Sequence, residues 1–198
     1  AGYLGCAGPN REIESSLSED LEPSVEGLEA TGEAAWTPAL EAGATGSAVE
    51  PLGYRDIVTV RGAFDVERGV AIEGMDAGAT GFLVSPDPDW PTHVERLVAS
   101  SCEHAWLFEI APPSGNLVTP NPNDPDLIPR FLSDGELLPV ETRSFYVAEN
   151  PAGMPALYRR KERADREELV EGVEDMQVRY GQDTDGDGSA DRFVTADA

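Results

Sequence analysis

Residues 169–191 constrain the fold more than any other part of the chain, because a strand pattern there runs directly into a loop crowded with carboxylates. From Asp175 to Tyr180, polar residues alternate with apolar ones. This is the period of two expected of a strand with one buried face and one wet face. We therefore expect one long strand that ends at Gly181 and delivers the acidic loop to one end of a β-sheet.

The loop after this strand has the spacing of a calcium site. Three aspartates at alternate positions followed by a glycine match the first half of an EF-hand-type loop, in which the glycine allows the sharp turn. With Asp183 as position one, Ser189 would offer its carbonyl at position seven and Asp191 would stand at position nine. The candidate calcium ligands are Asp183, Asp185, Asp187, Ser189 and Asp191.

Position twelve of this loop is Val194 instead of the usual bidentate glutamate, so we expect weaker calcium binding than in intracellular sensors. The alternative interpretation is a polar turn between two strands, since aspartate and glycine are common turn residues. The calcium interpretation is favoured because four aspartates so close together repel one another without a cation.

The charge balance of the chain disfavours two classes of partner. Its 198 residues include 38 acidic and 14 basic side chains, which give a formal net charge of -24. Such a surface repels nucleic acid phosphates and anionic membranes.

No apolar run approaches the ~18 residues of a membrane span. Since the chain opens at Ala1 without a methionine, we expect that an N-terminal segment has been trimmed.

The chain contains two cysteines, Cys6 and Cys102, and two histidines, His93 and His104. Two cysteines in a chain otherwise free of them indicate either a disulfide or two buried thiols. So few nitrogen and sulfur ligands do not favour a structural zinc site.

Several segments predict strands, because β-branched and aromatic residues are concentrated in them and turn residues bound them. The predicted strands are residues 56–63, 69–73, 80–84, 106–110, 143–149, 156–161 and 192–195, with a further short strand near 25–28. The small residues at positions 1–8 predict the end of a helix. We expect a single globular domain over residues 1–198, with the helix end at 1–8, a loop-rich segment at 9–55, and a sheet with long loops at 56–198.

Nothing in the sequence predicts catalysis. Ser100, Ser101, Glu103 and His104 are close in sequence, but neighbouring residues of a strand point to opposite faces and cannot form a triad. The chain contains no glycine-rich phosphate loop and no HExxH motif,.

Four segments resemble the PilW-family minor pilins of type IV pili. They are AGYLGC at residues 1–6, SSCEHAWLFEI at 100–110, FYVAENPAGMPALYRR at 145–160 and LVEGVEDMQVRYGQDTDGDGSADRFVTADA at 169–198. The last segment is the most specific, because its GVEDMQVRYG strand runs into DTDGDG.

The resemblance implies a pilin-like α+β fold, in which the remnant of a long N-terminal helix packs on an antiparallel sheet with long loops. It also implies that Cys6 and Cys102 form the family's disulfide, in keeping with an oxidising periplasmic route. The missing helix would be the only contact with the inner membrane. Before assembly the subunit would therefore lie at the inner membrane and in the periplasm, and afterwards at the extracellular pilus tip.

The function that the resemblance implies is that of a minor pilin without enzymatic activity. It would prime pilus assembly and form part of the tip complex, with other minor pilins and a tip adhesin as partners, on the filament of the major pilin. Cell adhesion and twitching motility would then be the cellular processes. The alternatives are a minor pseudopilin of a type II secretion system and a calcium-dependent adhesion or binding module.

Overall fold

The computed structural model describes residues 24–40, 50–64, 69–78, 80–85, 96–100, 105–112, 114–121, 135–161 and 166–197. Every regular element within these ranges is a β-strand. The strands are β1 Val25–Gly32, β2 Ala35–Thr37, β3 Ile57–Gly62, β4 Val70–Met75, β5 Phe82–Val84, β6 Arg96–Ser100, β7 Ala105–Glu109, β8 Leu117–Val118, β9 Glu136–Pro139, β10 Glu141–Glu149, β11 Pro155–Lys161, β12 Glu167–Glu171, β13 Tyr180–Gln182 and β14 Arg192–Val194.

The predicted α+β fold class is wrong, because the described part of the chain is all-β and contains no helix that could pack on its sheets. The helix was expected from the small residues at positions 1–8 and from the family resemblance, and those positions lie outside the described residues. The rest of the chain is dominated by short segments of β-branched and aromatic residues, which favour strands. Within the described ranges, no helix has the length and apolarity needed to cross a membrane.

The chain divides into two compact units, of which one contains Arg61–Glu141. Its antiparallel sheet has the strand order β7-β6-β9-β4-β5-β8. Just beyond the two edge strands, Ile110 forms a bridge with Pro120, so the edges of this sheet meet there and the sheet curls around its core. The rings of Trp106 and Phe108 stack inside it with centroids 4.6 Å apart, and Phe82 packs 5.5 Å from Phe108.

The other unit contains Val25–Val60 and Thr142–Ala198. Its six-stranded sheet has the order β12-β11-β10-β3-β1-β2, and β13 and β14 form a separate hairpin. Tyr146 and Tyr158 stack with centroids 6.0 Å apart on one face. The buried residues of this core are Ile57, Tyr146, Ala148, Ala156 and Tyr158.

The predicted strands at 56–63, 106–110, 143–149 and 156–161 are confirmed within a residue or two. The single long strand ending at Gly181 is wrong. Gly172 adopts a left-handed φ of 82° directly after β12, and residues 173–179, here called the linking segment, carry no strand pairing. The alternation itself is correct, since Met176 and Val178 are half-buried and Gln177 and Arg179 are exposed. Period two therefore identified an extended chain but could not tell whether a neighbouring strand pairs with it.

Candidate functional site

The acidic loop, residues 183–191, joins the two strands of the β13–β14 hairpin. The strands pair from Tyr180 opposite Val194 to Gln182 opposite Arg192. Arg192 Nε donates to Gln182 Oε1 at 2.8 Å, and the backbone N–H of Asp191 donates to the Gln182 carbonyl at 2.8 Å. The two ends of the loop are thus held together by the hairpin, which we call the Asp hairpin.

Asp183 organises the backbone of this loop. Its two carboxylate oxygens accept the backbone N–H of Gly186 at 2.6 Å and of Gly188 at 2.8 Å. Both glycines have left-handed φ angles, 80° and 87°, which side-chain-bearing residues rarely adopt. The bonds from Gly188 and then Gly186 lower the pKa of Asp183 below 3.8. Their contribution to stability is therefore present above pH 3.8 and is lost as the pH falls through the lowered pKa.

Three of the predicted calcium ligands come together in the structure. Asp183, Asp185 and Asp187 each place one carboxylate oxygen within 4.8 Å of the others, and all three side chains are exposed. Calcium binds oxygen at about 2.3–2.6 Å, so two ligands of one ion lie at most about 5 Å apart. The spacing and the all-oxygen donor set therefore fit a calcium ion.

The other two predicted ligands have different surroundings. One oxygen of Asp191 accepts both the backbone N–H of Thr184 at 2.7 Å and its hydroxyl at 2.6 Å. The Thr184 hydroxyl, followed by its N–H, lowers the pKa of Asp191. Ser189 donates its backbone N–H to Asp187 Oδ1 at 2.7 Å. Asp191 thus closes the two ends of the loop together. Calcium ligation by any of the five predicted residues stays a prediction.

The most important polar residue that sequence reasoning missed is Asp56, which precedes β3 and is only 3% exposed. Its carboxylate accepts the N–H of Ala30 in β1 at 2.9 Å and the N–H of Val178 in the linking segment at 2.8 Å. Its own N–H donates to the Met176 carbonyl at 2.9 Å. Asp56 therefore fastens the linking segment to the sheet, in place of the strand pairing that was expected.

A second unpredicted contact holds the Asp hairpin against β1. The ring of Tyr180 packs so closely on Gly27 that a Cβ there would lie 1.8 Å from the Tyr180 hydroxyl oxygen. Among the described residues, neither that hydroxyl nor Glu29 Oε2 finds a hydrogen-bond partner, although both atoms are buried. Burial, followed by the nearby charges of Asp56, Glu29 and Glu26, raises the pKa of Tyr180 above 10.0.

We expect this raised pKa to appear as alkaline destabilisation. A neutral Tyr180 contributes stability that is complete below the unfolded pKa of about 10 and is lost as the pH rises through the higher pKa of the folded protein. Urea unfolding between about pH 8 and pH 11 should show a free energy of unfolding that falls less steeply in Tyr180→Phe than in the wild type. Identical slopes would contradict this account. Burial also raises the pKa values of Tyr146 and Tyr158. The free energy of unfolding should therefore still fall with pH in Tyr180→Phe, but less steeply than in the wild type.

The two predicted disulfide residues, Cys6 and Cys102, lie outside the described residues, as do Ser101, Glu103 and His104. Their pairing and their surroundings stay predictions. Ser100, the remaining residue of that cluster, is buried at the end of β6.

Fold and loop together define a β-sheet protein that presents an exposed, oxygen-rich hairpin loop. Residues 144–198 match the family model described as PilW, type IV pilus-assembly protein W. The match confirms the predicted resemblance over this part of the chain and connects the protein with type IV pilus assembly. That process indicates association with the cell envelope and partners in the pilus machinery. No curated protein and no solved structure gives a significant match.

The matched region includes the acidic loop and the elements that precede it. It contains the last two thirds of β10, all of β11 and β12, the linking segment and the Asp hairpin. Asp56, which holds the linking segment, and Gly27, which contacts the hairpin, both precede it in the chain.

Proposed function

We propose that the protein is a minor pilin of a type IV pilus, which primes assembly and forms part of the tip complex. The observation that carries the proposal is the family match over residues 144–198. Its partners would be other minor pilins, a tip adhesin and the major pilin filament. The subunit would lie at the inner membrane and in the periplasm before assembly and at the extracellular tip afterwards.

The role requires binding surfaces and no chemical step. In this proposal the sheet of the Val25–Val60 and Thr142–Ala198 unit is a rigid support, and the linking segment and Asp hairpin present contacts to neighbouring subunits. Among the described residues, four long-range hydrogen bonds hold the linking segment. Two are donated by the backbone N–H groups of Asp56 and Val178, and two by the side chains of Arg55 and Gln177. Such a pre-ordered surface loses little conformational entropy when a partner binds.

We also propose that the Asp hairpin binds calcium through Asp183, Asp185 and Asp187, with Ser189 and Asp191 as the further candidate ligands. A bound calcium ion would neutralise the repulsion between the three carboxylates. The protein's own contribution is to hold Asp183 by Gly186 and Gly188 and to close the neck of the loop by the Thr184–Asp191 bonds.

The proposed disulfide between Cys6 and Cys102 follows from the same envelope location, since disulfides persist in oxidising compartments. The intact mass of the purified, unreduced protein should be lower than that of the reduced protein by the mass of two hydrogen atoms. Titration of two free thiols in the unreduced, unfolded protein would refute the pairing.

The function is tested by co-purification of the tagged full-length protein with the other minor pilins of its source, together with its deletion. We expect the minor pilins to co-purify and the deletion to reduce the number of surface pili. Co-purification with secretion-system pseudopilins instead, with normal piliation in the deletion strain, would identify a minor pseudopilin. Calcium-dependent binding to a glycan array with neither set of partners would identify an adhesion module.

A further inference from the structure

Tyr54 has an exposed aromatic side chain and an unfavourable backbone conformation. Its side chain is 62% exposed, and its backbone has a φ of 61°. This left-handed region is common for glycine and asparagine but unfavourable for a bulky residue. Strained residues of this kind are concentrated at functional sites.

The conformation of Tyr54 is fixed from both sides. Its N–H donates to the Gly32 carbonyl at the end of β1 at 2.9 Å, and its carbonyl accepts the side-chain amide of Gln177 at 3.1 Å. Next to it, Gly53 lies so close to the Glu33 backbone that a Cβ would be 1.8 Å from the Glu33 carbonyl oxygen. The turn after β1 and the linking segment thus clamp this short stretch of chain between them.

The two elements that clamp Tyr54 expose acidic side chains. Glu33, Glu174 and Asp175 are exposed on the two elements that clamp Tyr54, and Asp175 shares the Gln177 amide with the Tyr54 carbonyl, at 3.3 Å. The cations on these elements are Arg55 and Arg179. The Arg55 side chain donates hydrogen bonds to the backbone carbonyls of Gly53 at 2.6 Å and Glu174 at 2.8 Å.

We propose that Tyr54, together with Glu33, Glu174 and Asp175 on the elements that clamp it, is a docking surface for an arginine- or lysine-bearing segment of a partner protein. We call it the Tyr54 surface. An exposed tyrosine ring binds a cation over its face, and nearby carboxylates attract the same cation. Tyrosine is also among the residues that most often dominate binding energy in protein interfaces. A second copy of this chain is a poor occupant, because each copy has a formal net charge of -24.

The surface is tested with the full chain and a defined probe, a short synthetic peptide of alternating arginine and threonine, in an NMR titration at physiological salt. A glutamate-for-arginine peptide is the control ligand. Tyr54→Asn removes the ring while keeping a residue that tolerates the left-handed backbone, and Tyr54→Phe keeps the ring. Phe193→Ala removes an equally prominent ring, 69% exposed, from the Asp hairpin.

We expect the arginine peptide to shift the resonances of the Tyr54 surface. Tyr54→Asn should weaken binding about three- to thirtyfold without lowering the melting temperature, and Tyr54→Phe and Phe193→Ala should bind as the wild type does. Unchanged affinity in Tyr54→Asn, shifts centred on the Asp hairpin, or a dimer in ultracentrifugation that Tyr54→Asn dissociates would each overturn the proposal.

The assignment of the partner to the pilus machinery rests on the proposed function. The same variants in the co-purification experiment keep the two questions apart. If minor pilins are retained by the wild type and by Phe193→Ala but lost from Tyr54→Asn, both proposals are supported. If even the wild type retains no minor pilin, the proposed function fails, and the peptide titration still decides on the Tyr54 surface.

Discussion

Replacing Asp56 with alanine should lower the free energy of unfolding by about 3 kcal/mol, since hydrogen bonds to a charged acceptor contribute about 1.5–3 kcal/mol each. The substitution leaves the N–H groups of Ala30 and Val178 without their acceptor. It also removes the carboxylate that fastens the linking segment to β1. Urea unfolding followed by circular dichroism measures the loss, and hydrogen exchange should show the linking segment opening first.

The matched control for this prediction is Asp175→Ala in the linking segment itself. Asp175 is exposed, and the one hydrogen bond that its carboxylate accepts among the described residues, from Gln177, is long at 3.3 Å. We therefore expect a change within about 0.5 kcal/mol, as is usual for surface positions. Asp56→Asn should fall between the two, because the amide keeps one acceptor oxygen. Equal stability of Asp56→Ala and Asp175→Ala would show that Asp56 does not fasten the segment.

Calcium should stabilise the protein, since a ligand that binds only the folded state at a hundred times its dissociation constant adds about 2.7 kcal/mol. A stabilisation of this size corresponds to a rise of several degrees in melting temperature for a chain of this length. Thermal unfolding with calcium and with EDTA measures the difference. Asp185→Ala should abolish it, because it removes one of the three clustered carboxylates.

Asp76→Ala is the control for the calcium prediction. Asp76 also organises a hairpin turn, accepting the backbone N–H of Gly78 at 3.1 Å and of Gly81 at 2.8 Å, but it belongs to no clustered group among the described residues. The variant should unfold at a lower temperature while keeping the full calcium shift. A wild-type melting temperature that is the same with calcium and with EDTA would rule out the cation site.

The sequence by itself determined the local features of this protein. Alternation predicted the extended chain through Met176 and Val178, and the spacing of Asp183, Asp185 and Asp187 predicted that their carboxylates converge. Gly186 and Gly188 take the left-handed angles that the turn requires. Such features are readable because the interacting groups lie within about one turn of chain, where residue type and spacing fix the geometry.

Only the tertiary structure decided which distant segments meet. Asp56 binds Val178 across 122 positions, and Gln177 reaches Tyr54 across 123, and no spacing rule relates residues so far apart. The expected strand pairing after Gly172 failed because it depended on a neighbouring strand that the local pattern does not specify. The backbone N–H groups of an extended segment can donate either to a neighbouring strand or to side-chain acceptors. In this protein the N–H of Val178 donates to the carboxylate of Asp56.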